Sequence, residues 1–206
     1  MLKNCIVILI SIQFKVLNCS SQNMADYRVF HRVISRGAIP GSLHLDEAEG
    51  PGIAWINGQE FNYGRIEFDI KGKDVLQQSF VGIAFHGLND TTYEAVYFRP
   101  FNFRSPDSVR RSHAVQYIAV PKFDWPILRE SYPNKYEQPV LPPPDPNDWF
   151  HVRIIVEIKK ISVYVNDIDK PVLIIEPFMP IKGHMIGYWV GNHSAGDWKD
   201  LKIAVE

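Results

Sequence analysis

Aromatic rings, guanidinium groups and amides interleave between Tyr93 and Tyr136. The segment YEAVYFRPFNFR supplies Tyr93, Tyr97, Arg99, Phe101, Asn102, Phe103 and Arg104. A following apolar segment carries His113, Gln116 and Tyr117, and a longer irregular one carries Trp125, Arg129 and Tyr136. Rings offer flat apolar faces, while Arg, Asn and Gln offer planar hydrogen-bonding groups. That mixture suits a hydroxyl-rich ligand whose C–H faces stack on rings and whose oxygens meet fixed donors, which is the chemistry of a carbohydrate. The expected binding set is Tyr97, Arg99, Asn102, Arg104, Gln116, Tyr117, Trp125 and Arg129. A competing account stays open: Phe101, Phe103 and Trp125 would simply anchor a long loop to the body of the domain.

The acidic candidates are weaker. Glu67 and Asp69 sit two apart in RIEFDIK and share a face, the arrangement a pair of hydrolytic carboxylates needs. A solvated strand face with charges paired to neighbouring lysines is the stronger account of them. The seven histidines, at 31, 44, 86, 113, 151, 184 and 193, stand singly, with no zinc-ligand spacing. The only cysteines are Cys5 and Cys19, near the N-terminus, so the rest of the chain has no thiolate nucleophile or thiolate metal site. Asn89, Asp90 and Asp197 are residues of the kind that hold calcium at the rim of a sandwich, although ordinary turn preference accounts for them better. No cofactor and no metal is called for beyond that. The net charge of -1, without a basic stripe, excludes a nucleic-acid partner.

The elements that must position these groups are strands. Residues Arg65 to Lys71 alternate strictly, with Ile66, Phe68 and Ile70 on one face. Phe80 to His86 is apolar on both faces and reads as a central strand, joined through a turn at Gly87–Asp90 to a strand from Tyr93 to Arg99. In the latter, Tyr93, Tyr97 and Arg99 share a face opposite Val96 and Phe98. Pro100 to Val109 reads as a loop, His113 to Val120 as a strand, and Lys122 to Asp148 as a long irregular stretch with a helical turn near Trp125 to Glu130. Phe150 to Ile158 and Ile161 to Val165 alternate again. Gly183 to Gly191 reads as central, and Leu201 to Val205 closes the chain. Val152, Ile154, Val163, Val165 and Ile186 are the expected interior.

Three segments carry a family resemblance. WFHVRIIVEIKKISVYVND (Trp149 to Asp167) resembles the strand pair of laminin-G domains, GYWVGNHSAGDWKDLKI (Gly187 to Ile203) their closing segment, and GRIEFDIKGKD (Gly64 to Asp74) an early jelly-roll strand. The chain is thereby similar to the laminin-G / concanavalin A-like lectin/glucanase superfamily, in its bacterial secreted form. The resemblance implies an all-β fold, a two-sheet antiparallel β-sandwich (jelly roll). It implies a secreted carbohydrate-binding, lectin-like domain linked to polysaccharide recognition or degradation, with a polysaccharide or oligosaccharide as partner. A glycoside hydrolase or polysaccharide lyase on the same fold, or a protein-interaction module of laminin-G type, are its alternatives. Laminarinase-type members place a third acid after the Glu-x-Asp pair, where this chain has Gly72.

The N-terminus reads separately. Lys3 followed by the apolar run from Cys5 to Ile12 has the form of an export signal, too short to span a bilayer. Cys19, followed by Ser20 and Ser21, resembles a lipoprotein cleavage site, with Asn18 departing from the pattern; a start at Met24 is the alternative. The expectation is a leader over 1–22, a single domain over 23–206, and a secreted, periplasmic or lipid-anchored protein whose only membrane contact is a lipid at Cys19.

Overall fold

A computed structural model describes residues 14–16, 23–166, 168–178 and 183–205. The expected leader signal and Cys19 lie outside the described residues. Two antiparallel sheets face each other. The first has the order β10 (Glu137–Gln138), β9 (Val115–Val120), β8 (Thr92–Phe98), β7 (Val81–Asn89), β14 (Met185–Val190), β5 (Gly52–Glu60) and β2 (Tyr27–Phe30). The second has the order β13 (Leu173–Ile175), β12 (Lys160–Val165), β11 (Phe150–Glu157), β6 (Gly64–Lys71), β15 (Gly196–Val205), β4 (Leu43–Leu45) and β3 (Ile34–Arg36), with β1 (Phe14–Val16) also paired to β15.

Period-two patterning builds the second sheet. On β6 and β11 buried and half-buried residues alternate, and the register sets Phe150 against Ile70, Val152 against Phe68 and Ile154 against Ile66. These side chains, with Val163, Val165 and Ile186, are fully buried, as the alternation requires. Each such burial contributes about 1.5–3 kcal/mol. The interior is closed from the first sheet by Val81, Ile83, Val96 and Phe98; the Phe98 ring meets Phe150 edge-on at 5.2 Å.

Two segments depart from expectation and a third, near Trp125, meets it. Pro100 to Val109 is not a plain loop: α1 (Pro100–Phe103) starts on the proline, whose fixed φ suits a first helical turn, and α2 (Ser108–Arg111) is capped by Asp107. The helical turn near Trp125 is α3 (Trp125–Ser131), capped by Asp124. The last strand begins at Gly196 rather than Leu201, because a bulge between Lys199 and Lys202, with Asp200 at positive φ, restores its register against β6.

Candidate functional site

Phe98 faces inward, so its neighbours Tyr97 and Arg99 project from the opposite, outer face of the first sheet. Successive pairings place five residues on one transverse row: Trp189, Gly82, Tyr97, Gln116 and Glu137, on β14, β7, β8, β9 and β10. The row is large, absent, large. Strands two apart are separated by roughly 9–10 Å, yet the Tyr97 and Trp189 rings approach to 4.8 Å because Gly82 between them has no side chain. The neighbouring row, Gly187, Ala84, Ala95 and Ile118, is mostly small as well. Small residues on the central strands and large ones beside them hollow the sheet face.

Over this floor lies a cleft of about 620 Å³. Tyr93, Tyr97, Ile118 and Trp189 line its base; Phe80, Leu76 and Gln77 form one wall; Asn102 and Arg110 from the two short helices form another; Asp124, Trp125 and Arg129 form a third. Trp125 is 43% exposed, and the Arg129 guanidinium stacks on its ring at 5.0 Å.

Arg99 is the centre of the polar network, although only 5% exposed. Its Nη1 donates to the His113 carbonyl at 2.9 Å, and its Nη2 donates to the Tyr97 hydroxyl at 2.7 Å and to Gln116 Oε1 at 2.8 Å. The guanidinium also rests over the rings of Tyr97 and Phe80, at 4.9 and 5.6 Å. Glu137 completes the cluster beneath: it accepts from Arg129 through both oxygens, stands 2.9 Å from His113 Nδ1 and lies 3.9 Å from Arg99 Nη1. Burial holds the His113 imidazole below its usual pKa, outweighing the opposing pull of Glu137, so the ring is neutral at pH 7. Burial pushes the Tyr93 and Tyr97 hydroxyls up to about 12. Both stay protonated, and since each already accepts a hydrogen bond, from Trp189 Nε1 and from Arg99 respectively, each has its own proton to donate. Asn102 donates through Nδ2 to the His113 carbonyl, which leaves its buried Oδ1 without a donor among the described residues.

Of the expected binding residues, Tyr97, Arg99, Asn102, Trp125 and Arg129 meet in this cleft. Three are corrected. Gln116 shares the face but is fully buried under Arg99, where it orients the guanidinium. Tyr117, one residue on, must point the other way; it sits in the interior against Tyr136, and burial, with Glu94 next, pushes its hydroxyl well above its usual range. Arg104 turns out to solvent beyond α1, its side chain 53% exposed and paired with Asp145 at 3.1 Å. Glu137 is the residue that sequence reasoning missed. The acidic pair Glu67 and Asp69 lies on the outer face of the opposite sheet, away from the cleft. Glu67 meets Arg65 at 3.3 Å, and Asp69 meets His151 at 2.8 Å and Lys199 at 3.0 Å. The His151 hydrogen bond, followed by Lys199, lowers the Asp69 pKa.

The calcium candidates are engaged with other partners. Asn89 Oδ1 accepts from the Thr91 N–H, Asp90 is matched by Arg28 at 2.8 Å and Trp55 Nε1 at 2.7 Å, and Asp197 faces His44 at 3.0 Å. Among the described residues no group of three or more His, Cys, Asp or Glu side chains is arranged to hold a metal.

No protein-family model and no curated protein matches this sequence. Solved structures do. The chain is similar to a carbohydrate-binding module, CBM66, from Bacillus subtilis, with a TM-score of 0.60 and 13% identity, covering 86% of this chain and 94% of that one. It is similar to a Bacillus subtilis protein of unknown function with a galectin-like fold, with a TM-score of 0.59 and 16% identity over 94% of this chain and 100% of that one. It is similar to the exoplasmic/lumenal domain of VIP36 in its Ca²⁺/Man3GlcNAc-bound form, with a TM-score of 0.54 and 10% identity over 91% and 86% of the two chains. At such identities the likeness establishes the fold, a galectin-like, concanavalin A-like sandwich.

Proposed function

We propose that this domain is a lectin-like module that binds an oligosaccharide, or a segment of a polysaccharide, in the cleft over β8, β9 and β14. The observation that carries the reading is the pairing of the accessible Trp125 ring with fixed polar groups (Arg99, Asn102 and the Tyr93 and Tyr97 hydroxyls) around one hollow in a rigid sheet. Sheet residues hold their positions better than loop residues, so the polar groups are pre-organised before any ligand arrives. A volume of about 620 Å³ lies within the range of small-molecule sites. Structures sharing the fold include one described as a carbohydrate-binding module and one with bound Man3GlcNAc, which supports the same class of ligand here. A cleft rather than a flat apolar face argues against a protein-docking role of laminin-G type. The apolar run from Cys5 to Ile12 supports export, testable by mass spectrometry of the native N-terminus. A glycan array probed with the folded domain tests the binding reading. Retention of at least one glycan class, lost on Trp125→Ala, is expected; a folded domain that retains nothing overturns it.

A further inference from the structure

We propose that the glycan is acidic: the cleft takes a sugar bearing a carboxylate or sulfate, with the anion seated against Arg99 and Arg110. This rests on the reading of the cleft as a glycan site and adds the charge of its occupant.

The first argument is a mismatch of buried charge. Arg99 and Glu137 are 5% and 2% exposed, so both heads are withdrawn from water. Glu137 gives both of its oxygens to Arg129, at 2.8 and 2.6 Å. The three hydrogen bonds of Arg99 all go to neutral acceptors: a carbonyl, a phenol and an amide oxygen. Its nearest carboxylate atom stands at 3.9 Å, beyond hydrogen-bond reach. One carboxylate therefore serves two guanidinium groups. A buried charge without its own counter-ion is costly, and the rings of Tyr97 and Phe80 that flank Arg99 polarise toward it without neutralising it.

The rest of the cleft does not correct the imbalance. Arg110 adds a further positive charge to the wall, and its partner Asp107 is distant, at 3.8 Å, and half-exposed. His113 is neutral at pH 7 and carries no charge of either sign. Asp124 is the only carboxylate among the described lining residues; it caps α3 by accepting from the Trp125 N–H at 2.7 Å and keeps its charge, so that with Glu137 beneath the floor it sets two negative charges against the three of Arg99, Arg110 and Arg129. An arriving anion would thus find donors with excess positive charge, in a partly desolvated place where charge-assisted hydrogen bonds are strongest.

The second argument separates a sugar acid from a bare anion. Asn102 is a lining residue whose side-chain oxygen, closed off in the unliganded cleft, has no donor among the described residues and would meet one only as the side chain turns toward a ligand. A carboxylate or sulfate cannot supply one, whereas a sugar hydroxyl can. The site asks for an anion and a hydroxyl on one rigid molecule, next to a ring face for Trp125.

The test compares matched polymers by calorimetry on the whole domain: polygalacturonate against its carboxyl-reduced form, and a sulfated galactan against its desulfated form. At least one acidic polymer should bind at least about ten-fold tighter than its neutral partner, the worth of one charged hydrogen bond. The pair that shows the difference names the anion. Arg110→Gln, at a half-exposed position that leaves folding intact, should cut that preference several-fold, and Arg99→Gln should abolish it. Equal binding of acidic and neutral forms would overturn the acidic assignment while the carbohydrate reading stands. Failure of the folded domain to bind any glycan would remove both.

Discussion

Arg129 presents Nε and Nη2 to the two oxygens of Glu137 in a fork, at 2.8 and 2.6 Å, bridging α3 and β10 across the edge of the cleft. Two parallel charge-assisted bonds fix angle as well as distance, so the helix that carries Trp125 is held at a set height above the sheet. Among the described residues Glu137 is the carboxylate paired with both Arg99 and Arg129, so its removal takes the paired carboxylate from two guanidinium groups. Glu137→Gln is expected to destabilise the fold by about 3 kcal/mol or more. Urea denaturation measures it, and a loss below about 1 kcal/mol would show the fork to be dispensable.

Trp125 separates binding from folding. The residue is 43% exposed, and the Arg129 guanidinium lies 5.0 Å from its ring. Trp125→Ala should weaken glycan affinity by about ten-fold while shifting Tm by less than about 2 °C. A large fall in Tm with unchanged affinity would make Trp125 a loop anchor instead.

His113 gives the site a pH signature. Its folded pKa lies below the unfolded value of about 6.5. The unfolded chain therefore binds the proton first as pH drops. Its contribution to stability is complete above about pH 6.5 and is lost progressively as pH falls toward the folded pKa. Melting temperatures across pH 7 to 5 should decline in the native protein and decline less in His113→Asn. Identical slopes would count against it.

Gly82 is expected to tolerate no side chain. A Cβ there would stand 2.2 Å from the Val96 carbonyl oxygen and 2.6 Å from the Tyr97 Cα, both backbone atoms of a central strand. Gly82→Ala should cost about 2 kcal/mol or more by chemical denaturation, and should quench the Tyr97–Trp189 contact in near-ultraviolet circular dichroism. A neutral substitution would mean the strands can part without harm.

Asp69 and Arg104 serve as the contrast. Asp69→Asn and Arg104→Ala alter ion pairs at the surface and should leave glycan binding unchanged, at a cost in stability below about 1 kcal/mol each. Loss of binding in Asp69→Asn would move the functional face to the opposite sheet.

The sandwich was legible wherever one strand face is buried, because alternation is then imposed by packing: Ile66, Phe68 and Ile70, or Val152 and Ile154, admit no other reading. The same rule placed Tyr97 and Arg99 together. Applied strictly, it would also have excluded Tyr117, since neighbours on a strand cannot share a face with Gln116. Depth was not legible. Nothing in the order of residues says that Gln116 lies under Arg99 while Arg104 escapes to solvent past a four-residue helix. Glu137 stayed hidden because β10 has two residues and no period to read, inside a proline-rich excursion. Its only sign was an isolated acid between Tyr136 and Gln138.

The transverse row from Trp189 to Glu137 has a consequence for how the protein matures. Its members come from five strands; Gly82 with Tyr97 and Tyr97 with Gln116 pair strands that follow one another in sequence, whereas Gly82 must find Trp189 from far along the chain. Contacts so distant along the chain form slowly, on the millisecond-to-second scale of all-β sandwiches. The cleft is therefore incomplete until β14 docks beside β7, and the Trp189 side of its floor is acquired only with the finished sheet. A ligand trapped there reports on, and reinforces, the whole domain at once, so its protection against unfolding should extend evenly through all the strands rather than stay near the cleft.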